Sequence, residues 1–387
     1  MSEQSIPQVA HYERAPETKE EIEYAVVPII DFANVHTPEG RAQLAPQVRD
    51  AMRTYGFMCI VNHGLTQAQN DRMIDIADVP FSAVPADEQA RFVTTTRELG
   101  EWKGYKPRQY WHVDNGVHDQ IHHYMVVHPN FGQHHPGAVQ PFLTEIHAFM
   151  EYNHFNVLHP VLQLLALGLE LPEETFVEQH PFGAKGLTVL FAKYYPRTEE
   201  DELKTQNVWM KGHTDSGTIT LLWSQPVIAL QTLSPDGKWR FVKHVPNGIV
   251  WITYPPDLTS AEIALTAVHP TSIQIVNAGD AMEMLSGGYY KATIHRVFQP
   301  PPDQRGYTRL GLFYFAYSDG DVRLEPHGES PVLQRVGIVR RCKDEDAPTM
   351  AEFSSMRART YGNLEAARKE NGVSEQIVGG VVVRHYD

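Results

Sequence analysis

The sequence predicts a mostly β protein with helices: a double-stranded β-helix (jelly-roll) core, an α-helical N-terminal wrapping and a C-terminal helix. Three observations predict it. From Lys185 to Tyr317 short β-like runs follow one another, with turn signals between several of them. Ahead of them, apolar residues recur at helical spacing. Beyond Pro326 the strand pattern fades into one polar helical stretch. Many short strands with regular turns imply two packed sheets or a closed barrel, which leave few edges exposed.

Taken in order, residues 1–25 are polar, with acidic residues from Glu17 to Glu23, and read as a loose arm. Residues 26–180 form an α/β region that supports the core. Val26 to Phe32 contains Pro28 and reads as an edge strand, the only place a sheet tolerates a missing N–H. Ala45 to Tyr55 is helical until Gly56 stops it, and Phe57 to Val61 is a strand turned by Asn62-His63-Gly64. A second helix covers Gln67 to Val79, and Pro85 to Phe92 begins another. The stretch from Trp102 to Phe131 is rich in Tyr, Trp and His. In it, His122 and His123 are neighbours whose side chains point to opposite faces of a strand, which disfavours a shared metal. Pro141 to Leu171 is a long helix that Pro160 divides or kinks.

Residues 181–325 carry the jelly-roll. Its expected strands are Leu187 to Tyr195, Thr218 to Trp223, Ala229 to Leu233, Trp239 to Val242, Ile249 to Thr253, Ser272 to Val276, Ala292 to Phe298 and Arg309 to Tyr317. Turns are expected at Pro235-Asp236-Gly237 and Asn247-Gly248. Residues 326–387 form a C-terminal extension whose helix, Thr349 to Lys369, is placed to pack over the barrel mouth. The whole is read as one catalytic domain.

Composition bounds the function. Of 387 residues, 42% are hydrophobic and 21% charged, the make-up of a globular protein with a large core. The formal charge of −14 opposes a nucleic-acid partner, because phosphates need a basic face. No apolar run is long enough for a membrane helix. The N-terminus lacks the pattern of a secretory signal, and two cysteines cannot make a disulfide framework. A cytoplasmic location is expected, and the oligomeric state is left open.

The chemistry concentrates between Lys211 and Arg309. His213 and Asp215 lie two apart beside an apolar strand, so alternation would aim both at one target. His295 can complete a set of two histidines and one carboxylate, which leaves positions open on a metal and suits non-haem Fe(II). His-x-Asp alone is weak in a chain with 20 histidines. The ordered set is specific: His213-Thr214-Asp215, Asn277-Ala278-Gly279-Asp280, His295-Arg296-Val297, then Arg309 in a strand. With it the chain resembles the 2-oxoglutarate/Fe(II)-dependent dioxygenases, in their isopenicillin N synthase-like branch. Tyr55-Gly56-Phe57 to Asn62-His63-Gly64-Leu65 is similar to the N-terminal region of the same family, which makes His63 a turn residue rather than a ligand.

The resemblance implies that His213, Asp215 and His295 hold Fe(II), that 2-oxoglutarate is the cosubstrate and that O2 is consumed. It implies a small-molecule substrate that is hydroxylated, desaturated or cyclised, with release of succinate and CO2. Arg309 is the implied clamp for the distal carboxylate of 2-oxoglutarate, since a guanidinium offers a planar fork. Two departures stand out. The family's Arg-x-Ser reads Arg309-Leu310-Gly311 here, so a hydroxyl is missing, with Tyr195 a replacement donor. Its Asn-Tyr-Tyr-Pro reads Lys193-Tyr194-Tyr195-Pro196, which places Lys193 near the C1 carboxylate. The family's pocket wall implies substrate contacts from His123 and Tyr124. Alternation adds Phe315 beyond the clamp and Phe191 two residues before Lys193, and assigns Phe313 to the core. Such an aromatic pocket suits a lipophilic or flavonoid-like secondary metabolite. Three other readings stay open at this point. They are an oxidase that does without 2-oxoglutarate, as isopenicillin N synthase does, a non-catalytic binding barrel, and a zinc hydrolase lacking a recognisable general base.

Overall fold

The computed structural model describes residues 6–100, 102–245, 273–360, 373–378 and 380–386. In chain order its strands begin with β1 (Ile29–Asp31), β2 (Phe57–Val61), β3 (Gly104–Lys106), β4 (His112–Asp114), β5 (Val117–His118) and β6 (Ile121–Val127). They continue with β7 (Thr188–Tyr194), β8 (Val208–His213), β9 (Ile219–Trp223), β10 (Leu230–Leu233) and β11 (Trp239–Phe241). The last are β12 (Gln274–Ala278), β13 (His295–Phe298), β14 (Arg309–Ala316), β15 (Val373–Val378) and β16 (Val381–Tyr386). The major sheet runs β1-β2-β12-β9-β14-β7-β6-β3 and the minor sheet β11-β10-β13-β8-β16-β15, while β4 and β5 form a small hairpin. The two sheets face each other as the jelly-roll requires, and β1, with Pro28 before it, lies at an edge. The expected strand Ile249 to Thr253, the turn Asn247-Gly248 and positions 361–369 of the expected C-terminal helix lie outside the described residues.

The helices cover the outer face of the major sheet. Pro38–Thr54 starts at a Thr37 cap that accepts from Gly40 N–H at 3.0 Å and ends ahead of Gly56, whose φ of 64° only glycine adopts freely. Gln67–Ser82 starts at a reciprocal Thr66–Gln69 capping box. The long helix breaks where proline was expected to break it, but as a π-turn, His154–Leu158, between Leu143–Asn153 and His159–Gly168. Pro160 cannot donate to the carbonyl one turn back, and widening the preceding turn absorbs the defect without ending the helix. Apolar residues of these helices (Val48, Met52, Met150, Leu165) pack with outward-facing Tyr124, Val126, Phe191 and Tyr314 into the largest core.

Three expectations about boundaries are corrected. Residues 6–25 are pinned rather than loose: Tyr12 N–H donates to Asp75 at 2.9 Å, Arg14 pairs with Asp71 at 2.5 Å, and Ala25 N–H donates to Phe241 O at 2.8 Å. The N-terminal region contributes β1, β2, β3 and β6 to the major sheet instead of only supporting it. The C-terminal extension is more than helical. After the helix Met350–Thr360, the β15–β16 hairpin joins the minor sheet, with Tyr386 paired to Gly212 of β8. Among the described residues no helix is long and apolar enough to cross a membrane.

Candidate metal and cosubstrate site

His213 ends β8 and His295 begins β13, and the antiparallel register sets them directly opposite each other. Their rings lie 4.4 Å apart, centre to centre. Asp215 is on neither strand, which corrects the expectation that strand alternation aligns it with His213. It sits in the crossing from β8 in the minor sheet to β9 in the major sheet. Its backbone carbonyl accepts from Asp280 N–H at 2.7 Å, which fixes the crossing. Its Oδ2 accepts from the Thr220 hydroxyl at 2.6 Å and from the Asn277 amide at 2.9 Å. Oδ1 is thereby aimed inward, 3.8 Å from His213 Nε2 and 3.6 Å from His295 Nε2.

The histidines are prepared in the same way. His213 Nδ1 lies 2.9 Å from Lys211 O and His295 Nδ1 3.2 Å from Thr293 O, so each Nδ1 carries the proton and Nε2 the coordinating lone pair. Burial, then the neighbouring His295, holds the His213 pKa down at about 3, so its imidazole is neutral and free to offer a lone pair. Burial alone would raise the Asp215 pKa. His295, His213, Thr220 and Asn277 together outweigh that, and it stays ionised. The three ligand atoms lie within 4.8 Å of one another, the one such group of at least three His, Cys, Asp or Glu among the described residues. Two imidazoles and one carboxylate on one side of a point fit a divalent iron that keeps open positions.

The triad opens into a cavity of about 150 Å³ between the sheets. Arg309 lines it at 3% exposure, and its Nε and Nη1 find no acceptor among the described residues. An orphaned, buried guanidinium edge is costly unless a ligand oxygen meets it, so Arg309 fits a carboxylate. Burial lowers its pKa, and Tyr194, whose ring lies 5.0 Å from the guanidinium carbon, counteracts this.

Strand register sorts the remaining sequence-predicted residues. Arg309 pairs with Tyr194, Gly311 with Ala192 and Phe313 with Leu190. Those partners pair in turn with Ile121, His123 and Met125 of β6. Paired residues share a face, so His123, Leu190, Tyr194, Phe313 and Phe315 line the cavity. Tyr124, Phe191, Lys193 and Tyr195 do not, and four expectations are corrected. Tyr124 is buried among the helices, with its hydroxyl 2.7 Å from His135 Nδ1, and Phe191 lies in the same outer core. Lys193 pairs with Asp78 at 2.6 Å, and Tyr195 stacks under Arg108. The Lys193-Tyr194-Tyr195 motif meets the cavity through its middle residue. Phe313, expected in the core, lies parallel to Phe315 at 5.8 Å on the cavity wall. A Cβ on Gly311 would come within 2.5 Å of the Phe313 ring, so the place of the missing serine is taken by an aromatic edge.

Sequence reasoning missed Tyr194, Trp102, Trp111, Thr220 and Arg357, all lining the cavity, and gave Asn277 no role. Asn277 and Tyr194 stood inside quoted motifs, and knowing the register would have found them. Nothing near Arg357 in the sequence marks it.

A two-sheet barrel with two histidines and a carboxylate converging beside a buried arginine defines a mononuclear metal oxygenase. Comparison with known proteins agrees. Residues 27–144 match the family described as non-haem dioxygenase in morphine synthesis N-terminal, and residues 187–316 match the 2OG-Fe(II) oxygenase superfamily. A 2-oxoglutarate-Fe(II) type oxidoreductase, hxnY, of Emericella nidulans is 27% identical over 89% of this chain and 93% of its own. A leucoanthocyanidin dioxygenase of Malus domestica is 26% identical over 70% of this chain and 68% of its own. A full-length Neurospora crassa protein, solved in complex with alpha-KG and 5-formyluracil, superposes with a TM-score of 0.68 at 19% identity, covering 88% of this chain and 99% of that one. The chain belongs to the 2OG-Fe(II) oxygenase superfamily and is an oxidoreductase of the Fe(II)- and 2-oxoglutarate-dependent dioxygenase type, with O2 as a cosubstrate.

Proposed function

We propose that His213, Asp215 and His295 hold the iron, that Arg309 with Tyr194 receives the distal carboxylate of 2-oxoglutarate, and that the enzyme oxidises a small aromatic or lipophilic metabolite. The observation that carries this reading is the convergence of two Nε2 atoms and Asp215 Oδ1 beside the unpartnered Arg309 edge, in a mainly apolar cavity. Bound iron and 2-oxoglutarate supply the oxidising power from O2 as 2-oxoglutarate is decarboxylated to succinate and CO2. The chain's own residues do the rest. Thr220 and Asn277 orient Asp215, and the Lys211 and Thr293 carbonyls fix the imidazoles. Trp102, Trp111, Met125, Leu222, Phe313 and Phe315 keep water away and hold an apolar body with its C–H toward the triad. The apolar wall supports a flavonoid-like or similar planar substrate, and hydroxylation, desaturation and ring closure are all compatible with it. A cytoplasmic location belongs to the same proposal, supported by Cys59 and Cys342 both being free thiols.

Anaerobic titration of the Fe(II)-loaded protein with 2-oxoglutarate tests the site through its visible charge-transfer band. A saturable band is expected, lost in His295→Ala. In Arg309→Met it should need at least tenfold more 2-oxoglutarate, and Arg309→Lys should recover only part of the affinity. An Arg309→Met titration identical to wild type would refute the clamp. Succinate release with a panel of flavanones and other planar phenols, against aliphatic controls, then tests the substrate class.

A further inference from the structure

The cavity has a second arginine, at the end away from Arg309. Arg357 comes from the C-terminal helix Met350–Thr360, is 5% exposed and lines the cavity with Thr214, Ser216 and Tyr317. Arg309 opens β14 and Tyr317 directly follows it, so about 25 Å of strand separates the two ends. The triad opens onto the stretch between them, because Asp215 is held by Thr220, whose register partner is Phe315.

Arg357 is only partly satisfied. Its Nη2 donates to the Thr214 carbonyl at 2.9 Å, and Asp280 Oδ2 stands 3.5 Å away. Arg341 engages Asp280 Oδ1 at 2.6 Å and also binds Glu283, which leaves Asp280 Oδ2 as an ion-pair partner of Arg357 Nη2 but not of its Nε. Arg357 Nε is buried and finds no acceptor among the described residues. Beside it the Tyr317 hydroxyl and Ser216 Oγ lie 3.0 Å apart. A guanidinium edge and a phenol hydroxyl at the end of an apolar slot are the donor set for a carboxylate.

We propose that Arg357, with Tyr317, is the substrate anchor and that the substrate is a small organic acid. Its carboxylate sits at the Arg357 end, and its apolar or aromatic body runs along Trp111, Phe313 and Phe315 past the triad. One carboxylate at each end of the cavity, the cosubstrate's on Arg309 and the substrate's on Arg357, keeps the two ligands from exchanging places. The inference rests on the oxygenase reading of the cavity and narrows its substrate class from lipophilic molecules to acids.

The test is binding rather than turnover. Protein loaded with redox-silent Mn(II) and saturated with 2-oxoglutarate, so that Arg309 is occupied, is titrated with 1-naphthoate and indole-3-acetate and with their primary amides. The readout is the heat of binding by isothermal titration calorimetry, because the indole and naphthalene probes fluoresce where tryptophan does. At least one acid is expected to bind tenfold or more tighter than its amide. Arg357→Met should abolish that preference and Arg357→Lys restore part of it. Equal affinities for acid and amide, no binding of either, or a preference that persists in Arg357→Met would each overturn the proposal. Circular dichroism and the melting temperature of each variant report its folding. If Arg357→Met does not fold, Arg357→Lys and Tyr317→Phe decide by the same acid-to-amide ratio. The separate 2-oxoglutarate titration shows whether the oxygenase reading itself has failed.

Discussion

At the scale of single residues, the site is held by partners one bond removed from the proposed metal ligands. Thr220 and Asn277 occupy one oxygen of Asp215 and present the other. Removing such a partner typically costs 10–100-fold in metal affinity, so Asn277→Ala is expected to weaken Mn(II) binding by about that factor. Electron paramagnetic resonance of free Mn(II) measures it, and unchanged affinity would deny the amide its orienting role. Gly311 is a second such point. Gly311→Ser forces the Phe313 ring to move and should destabilise the protein by about 1–3 kcal/mol in urea unfolding. Adding Phe313→Leu should recover most of that loss. The double variant should also bind 2-oxoglutarate more tightly than Phe313→Leu alone, because a hydroxyl then stands two residues from Arg309.

At the scale of elements, a buried ion pair fixes the aromatic wall. Lys106 on β3 and Asp119 just before β6 are 0% and 1% exposed and bonded to each other. Asp119 also accepts from the Trp111 N–H at 2.6 Å, and the Lys106 ammonium lies 4.1 Å from the Trp111 ring centre. Asp119→Asn leaves a buried lysine uncompensated, and about 3–5 kcal/mol of stability should go with it. The tryptophan emission should shift red as Trp111 loosens. An unfolding midpoint equal to wild type would show the pair to be dispensable. The elements also explain what could be read from the sequence. His213, Asp215, His295 and Arg309 were legible because their motifs are local and ordered. The parity of β7 was not. A one-residue error in which face a strand presents moves every side chain across the sheet. It put Phe191 in the cavity in place of Leu190, and the family motif, read with the same parity, nominated Lys193 and Tyr195 in place of Tyr194. Arg357 escaped notice because a single helical arginine carries no sign of the cavity that folding brings to it.

At the scale of the whole molecule, the interior holds several neutral histidines. His154 and His180 are fully buried. His154 Nε2–H donates to His180 O at 3.0 Å, and its Nδ1 accepts from the Tyr314 hydroxyl at 2.8 Å, so both nitrogens are committed. Burial above all holds the His154 pKa at about 3 and those of His180, His122 and His135 at about 4. The unfolded chain binds protons at these groups near pH 6.5 and the folded chain does not. Stability should therefore be intact above about pH 6.5 and fall progressively toward pH 4. Urea unfolding across that range measures it. His154→Gln should shallow the slope, and an unchanged slope would exclude that group. The overall architecture was legible in the succession of short strands, and the last pair of strands was not. Val381 to Tyr386 was read as the tail of a helical extension because nothing local tells a closing hairpin from a tail.

That hairpin has a consequence for association between chains. β16 pairs with β8, the strand that ends in His213. Without the Tyr386–Gly212 pair, β8 is the bare edge of the minor sheet, its backbone open to another chain. A variant that loosens the hairpin therefore exposes a strand end beside His213 to edge-to-edge pairing, which size-exclusion chromatography reads as oligomers.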